Sequence, residues 1–345
     1  MNHEENRKDR LNRLSKLACC IMLTSLIILS SSIESLAAPN ESNLSLGNSK
    51  NVISPIFNED DVYETLDLST GIIEYHSFSE LHDFTKDRNR FQIQAAKMPQ
   101  IDFSKQSFFN ATINAIIGTD DRSKVAFTNI GPYCNTVYIK TTYTDGAVAE
   151  ATGFVIANSA VATAAHVVSS PNRTVKSVTI IPAKNGSTHP YGSTEAKKIT
   201  ITSNYASSKK EIDDWAVIET KDPIGATTGW LGLRTQTASY NNTYVINTGY
   251  PKPSTCSGQA ADRFMFMGTG RVKDGASSVL KCDFDATDGN SGGPVFAYYS
   301  DTGYTAIGIL TAGSAKSTDN SSYPTAFSSA VRISKDMYNL FLSYR

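Results

Sequence analysis

From about residue 130 onward the chain is written in short apolar and β-branched runs separated by Gly, Asn, Asp, Ser and Pro. None of these runs reaches helical length, so the folded part is confined to an all-β sandwich or barrel. Thr136–Tyr143 shows the pattern best, with Val137, Ile139 and Thr141 alternating inward. Further strands are expected at 153–156, 178–181, 215–218, 244–247, 264–267, 294–297 and 306–310. The C-terminus is the exception. There Ile333, Met337, Leu340 and Phe341 recur near helical spacing behind Ser334, a good N-cap.

The first third has a different texture. Arg7, Lys8, Arg10, Arg13 and Lys16 precede an apolar run from Leu17 to about Ile33, which ends in Ser35-Leu36-Ala37-Ala38. That is the layout of a secretory signal peptide over residues 1–38, with cleavage near Ala37 or Ala38. Its strongly apolar part is shorter than the roughly 20 residues of a bilayer-spanning helix, so no membrane association is expected after removal. Residues 39–114 are polar and mixed, with the acidic run Glu59-Asp60-Asp61, and read as a propeptide. The remaining 115–345 form the expected folded domain.

A net charge of -1 over 345 residues is too small an excess to argue for nucleic acid or an acidic membrane as a partner, and no nucleic acid is expected. Beyond the signal only Cys134, Cys256 and Cys282 remain, which permits at most one internal disulfide. Cys256 and Cys282 flank one expected strand and are the better-placed pair, subject to their side chains meeting. So few cysteines leave the fold to rest on a hydrophobic core. There is no His-Glu-x-x-His and no cysteine pair at ligand spacing, so metal hydrolysis finds no support, and the nucleophilic chemistry read below needs neither metal nor organic cofactor.

Three local signals carry chemistry. In Asp288-Gly289-Asn290-Ser291-Gly292-Gly293-Pro294 the glycines permit a sharp turn that exposes a serine hydroxyl, and let the N–H groups of Gly289 and Ser291 face a developing oxyanion. Thr163-Ala164-Ala165-His166 sets an imidazole at a strand end behind small residues, where it can act as a general base. Asp213-Asp214 leads straight into an apolar run, and a carboxylate buried there needs a partner; Asp214 is preferred as the residue nearer the run. Each alone is an ordinary turn, a packed histidine or a solvated loop. In the order His166, Asp214, Ser291 they fit the arrangement of a nucleophilic triad. Gly289-x-Ser291-x-Gly293 also fits the nucleophile elbow of α/β-hydrolases, but those enzymes need a histidine after the serine and none follows His189.

Ile116–Val125, Asn185–Gly192, Asp222–Gly225 and Thr248–Pro251, taken with the three signals, resemble the glutamyl endopeptidases of Gram-positive bacteria, a V8-like family of chymotrypsin-fold serine proteases. The resemblance runs from about Ala115 to the C-terminus. It implies two six-stranded antiparallel β-barrels with a cleft between them and a C-terminal helix, and a mature chain starting near Ala115 once an activating protease has cut after Asn114. Asn290 is neutral, so the ion pair that an acidic residue before the serine makes with a new N-terminus in pancreatic-type enzymes cannot form here.

Specificity departs from the family. Its usual S1 histidine would precede Thr311-Ala312-Gly313, where this chain has Leu310. Asp285, six residues before Ser291, stands at the S1 base of trypsin-like enzymes. Asp285, Leu310, Thr311 and Gly313 are thus the candidate substrate-binding residues, with Glu and Arg or Lys both open at P1. The expected function is a secreted, monomeric serine endopeptidase acting on proteins or peptides. The alternatives are a restricted, toxin-like protease and a non-catalytic binding module on the same fold.

Overall fold

The computed structural model describes residues 62–77, 114–314 and 326–345. The expected signal peptide and most of 39–114 lie outside the described residues.

The described chain begins with a hairpin, β1 (Val62–Asp67) and β2 (Ile73–Ser77), and two short strands, β3 (Asn114–Ala115) and β4 (Ser123–Lys124). The first barrel follows as β5 (Thr136–Tyr143), β6 (Val148–Ala157), β7 (Ala160–Thr163), β8 (Val175–Pro182), β9 (Thr194–Thr202) and β10 (Ala216–Thr220). Its antiparallel order β10-β7-β6-β5-β8-β9 closes through β9–β10 pairing. Helix α1 (Ala165–Val168) follows β7, α2 (Ser203–Ser208) follows β9, and α3 (Gly225–Thr228) leaves the barrel.

After the short β11 (Gly232–Leu233) the second barrel is made of β12 (Tyr244–Gly249), β13 (Phe266–Asp274), β14 (Val279–Cys282), β16 (Pro294–Tyr299), β17 (Gly303–Ser314) and β18 (Phe327–Arg332). Its order β17-β16-β12-β13-β14-β18 closes through β17–β18. The two-residue β15 (Ala286–Thr287) pairs with β3 instead, Ala286 opposite Ala115. The architecture is therefore two closed six-stranded antiparallel barrels, as the sequence pattern and the resemblance imply. Helix α4 (Lys335–Ser343) ends the chain.

Inward alternation builds each core. Val137, Ile139 and Thr141 are fully buried in the first barrel, as expected. Thr136 and Tyr138 on the opposite face are buried too, because that face of β5 meets the second barrel: the rings of Tyr138 and Tyr250 lie edge to face at 5.5 Å, and the hydroxyls of Thr136 and Thr248 are 2.6 Å apart. Six strands make a narrow barrel, and at Gly153 its interior has no room for a side chain. A Cβ there would come within 2.7 Å of Ile139 Cδ1 and 2.9 Å of the Ala162 carbonyl oxygen.

The expected Cys256–Cys282 bridge is absent, and all three described cysteines are buried free thiols. Cys282 points into the second barrel from β14, whereas Cys256 lies in the turn after β12, next to Thr255, whose carbonyl binds Arg122. Strand flanking in sequence did not bring their side chains together. Among the described residues no helix is long and apolar enough to cross a membrane.

Ser334 caps α4 as expected, its Oγ accepting from the Met337 N–H at 3.1 Å. Met337, Leu340 and Phe341 are buried in the first-barrel core, with Phe341 edge to face against Trp215 at 5.8 Å. Ser334→Ala removes the cap and is expected to cost about 1 kcal/mol, read as a lower urea midpoint at unchanged m-value; an unmoved midpoint would show that the cap contributes nothing.

Candidate active site

His166 enters the site because β7 is followed by the small, fully buried Ala164, the N-cap of α1, and Ala165, its first residue, which let α1 begin tight against the barrel wall. Asp214 ends a short turn, Glu211–Asp213, that leads into β10, and it is fully buried. Both of its oxygens are used by one residue: Oδ1 accepts from the His166 backbone N–H at 2.9 Å and Oδ2 pairs with His166 Nδ1 at 2.7 Å. A buried carboxylate of this kind needs such partners. The pairing places the ring proton on Nδ1 and leaves Nε2 as an acceptor. The His166 side chain keeps 20% of its surface exposed, so the ring is reachable from solvent. Burial works against its charged form. The charge and hydrogen bond of Asp214, with Asp288 and Glu211 beyond, outweigh that and hold the pKa above the ordinary histidine value.

Ser291 lies at the turn before β16, nearly buried. Gly289 and Gly292 on either side have φ of +95° and +80°. A Cβ on Gly292 would lie 2.1 Å from Thr163 Oγ1, 2.2 Å from the Thr152 carbonyl oxygen and 2.9 Å from the Ala164 N. The serine turn is thus pressed against the residues that lead into His166. Thr152 of β6 secures it: its N–H donates to the Ser291 carbonyl at 2.9 Å and its Oγ1 donates to the Gly289 carbonyl at 2.7 Å.

Within the turn, Asn290, Gly292 and Gly293 donate their N–H groups to Thr287, Leu310 and Asn290 carbonyls. Among the described residues, no acceptor takes the N–H of Gly289 or Ser291. Arg263, a residue the sequence reading passed over, backs this turn. Its buried guanidinium donates to the Tyr250 carbonyl at 3.0 Å and to Glu150 at 2.7 Å, and a Cβ on Gly289 would lie 3.0 Å from its Nη1. Asn290 is buried, its Oδ1 accepting from Thr287 N–H at 3.3 Å.

The four candidate substrate-binding residues have separate placements. Asp285 is buried, and its oxygens accept from the N–H groups of Ile117 at 2.7 Å and Asp121 at 3.1 Å. The segment after Ala115 is thereby tied to the base of the second barrel. Leu310 turns its side chain into the second-barrel core; only its backbone reaches the serine turn, through Leu310 N–H to Gly293 O at 2.9 Å and Gly292 N–H to Leu310 O at 2.7 Å. Gly313 pairs with Ser328. Thr311 Oγ1 donates to Glu211 Oε1 at 3.0 Å, which joins the strand beyond Leu310 to the turn before Asp214. Burial, with the charge of Asp214 acting in the same direction, raises the Glu211 carboxyl above its ordinary range against hydrogen bonds from Thr311 and Ser329. Sequence gave no cue to Glu211 beyond its position three residues before Asp214. Among the described residues no group of three or more His, Cys, Asp or Glu is placed to hold a metal.

A protein-family model described as Trypsin matches residues 116–335. A glutamyl endopeptidase of Bacillus licheniformis is 32% identical over 187 residues, 54% of this chain and 55% of that protein. The chain therefore spans only about half the length of this relative. A Bacillus subtilis protein named extracellular metalloprotease is 29% identical over 229 residues, 66% of this chain and 68% of its own. Among solved structures, one of a Glu endopeptidase matches with a TM-score of 0.55 and 25% identity, covering 66% of this chain and 97% of that one. Protease Anisep from Arthrobacter nicotinovorans matches in fold at a TM-score of 0.50 and 19% identity, over 64% and 97%.

An NMR titration of the His166 ring is expected to give a midpoint above that of ordinary imidazole. Asp214→Asn leaves burial dominant and lowers it; a midpoint unmoved by that change would contradict the electrostatic account.

Proposed function

The chain belongs to the trypsin family, and on that premise we propose that it is a secreted serine endopeptidase that cuts peptide bonds through an acyl-enzyme. The observation that carries the reading is the 2.7 Å contact between His166 Nδ1 and Asp214 Oδ2, made where the Ser291 turn presses on the residues leading into His166.

In this mechanism Ser291 Oγ attacks the scissile carbonyl while His166 Nε2 takes its proton. Asp214 fixes the ring orientation and stabilises the imidazolium that forms. The tetrahedral oxyanion is held by the N–H groups of Gly289 and Ser291, which donate to no described acceptor. His166 then returns the proton to the leaving amine, and water repeats the sequence to release the acid. The name of the Bacillus subtilis relative would point to metal chemistry, but the described residues offer no ligand set for it.

For the P1 side chain, the reading is glutamyl endopeptidase-like. Asp285 is buried and each of its oxygens accepts a backbone N–H, from Ile117 and from Asp121, so part of its acceptor capacity is committed to holding that segment and less is left for an Arg or Lys side chain. Residues 1–38 are read as a signal peptide and 39–114 as a propeptide removed by another protease, giving a monomeric enzyme. Ala115 is fully buried and paired with Ala286, so a cut between Asn114 and Ala115 requires that short pairing to open first.

Ser291→Ala is expected to lower turnover by several orders of magnitude without changing the fold, measured as hydrolysis of denatured protein alongside circular dichroism; a variant that keeps most of its activity removes Ser291 from the mechanism. The kcat/KM profile should lose activity as pH falls through the raised pKa of His166, and an activity constant down to pH about 4 would refute the base assignment. Digestion of a proteome-derived peptide mixture, with Ser291→Ala as control, should yield cleavage mainly after Glu; cleavage mainly after Arg and Lys would return Asp285 to the specificity pocket.

A further inference from the structure

The first barrel has one edge that its own strands do not complete. Strand β8 pairs with β9 only at Thr179–Glu195 and Ile180–Thr194, while β10 takes the other edge of β9. Beyond that point β9 would present a row of unpaired backbone groups, a ready template for another strand. β1 occupies it, pairing in antiparallel register from Tyr63 opposite Thr202 to Asp67 opposite Lys198.

We propose that this edge of β9 is a strand-binding site whose ligand is the 62–77 segment of the same chain, anchored by Tyr63 and held without need of the covalent link through residues 78–113. Two observations support it. The first is chemical complementarity along the register. The hydroxyls of Thr65 and Thr200 lie 3.1 Å apart, the Leu68 N–H donates to the Lys197 carbonyl at 3.0 Å, and the Ser203 hydroxyl donates to the Val62 carbonyl.

The second is the anchor. Tyr63 is fully buried, belongs to the first-barrel core, and lies 6.0 Å from the Trp215 ring centre. Leu66 and Leu68 pack against the same core. An isolated two-stranded hairpin is at best marginally stable in water, so this one depends on β9 as template. Main-chain ladder bonds plus one side chain in a pocket is the mode by which extended peptides add to sheet edges. The anchor's ring neighbour, Trp215, directly follows Asp214 in the chain.

The test uses the full chain with a recognition sequence for a site-specific endopeptidase placed within residues 78–113, in a Ser291→Ala background that removes the chain's own proteolysis. Trp215 and Trp230 are the two tryptophans, so Trp230→Phe leaves Trp215 as the only indole reporter. After the cut, the fragment carrying residues 62–77 is expected to co-elute with the barrels at micromolar concentration, with Trp215 emission matching that of the uncut chain. A labelled synthetic peptide of residues 62–77 should exchange into the cut protein, and its Tyr63→Ala version should bind about tenfold more weakly. Varying the peptide and not the protein keeps folding out of the comparison. Separation of the fragment at micromolar concentration, or equal binding of the two peptides, overturns the proposal. All readouts are of binding, so the result is independent of whether Ser291 is a nucleophile.

Discussion

Four hydrogen bonds converge on Thr152 in addition to its place in the ladder of the first barrel. Its N–H and hydroxyl donate to the carbonyls of Ser291 and Gly289, its Oγ1 accepts from the Tyr250 N–H at 3.0 Å, and its carbonyl accepts from Thr163 Oγ1 at 2.7 Å. One residue thus ties the turn bearing the serine, on the second barrel, to the strand end that leads into the histidine, on the first. Two separately closed barrels could slide against one another by an ångström at little cost to either core, whereas bonds of this length confine that sliding at the seam. The glycines at 289 and 292 serve the same fit, because any side chain there would occupy space already taken by Tyr250, Thr163 and Thr152.

The electrostatics of the cleft follow from that closeness. A carboxylate buried as completely as Asp214 is costly unless both oxygens find donors, and His166 supplies both from one residue. Glu211 adds a second acidic group that burial pushes toward protonation, held by Thr311 from the opposite barrel. The seam therefore carries a hydroxyl bridge at Thr152 and a carboxyl bridge at Glu211.

Much of this was legible in the sequence, for identifiable reasons. Strands whose inner face is apolar, such as Thr136–Tyr143, carry the period of two on their surface. Trp215 and Phe264 were expected to open strands and instead precede them, since Ala216 and Phe266 are the first paired residues; apolar character alone does not mark where a ladder starts. The His166–Asp214 pair was readable because an aspartate leading into an apolar run demands a partner. The hairpin at 62–77 was missed because its alternation lasts only a few residues amid polar sequence, and its burial comes from β9 far along the chain. The same kind of long-range packing hid the roles of Thr152, Arg263 and Glu211, turned Leu310 into the core, and left Cys256 and Cys282 unpaired.

Those unpaired sulfurs carry a consequence of their own. Cys134 donates to the Thr228 carbonyl at 3.3 Å near the exit from the first barrel, Cys256 sits in a loop, and Cys282 is enclosed in the second barrel. Burial pushes all three thiols to higher pKa, so each is a sluggish nucleophile while its surroundings stay closed. Among the described residues there is thus no bridge for an oxidant to form or a reductant to cut. Each thiol becomes alkylatable only when the part around it opens, so three sulfurs report on three separate places of the architecture: the exit from the first barrel, a loop and the interior of the second barrel.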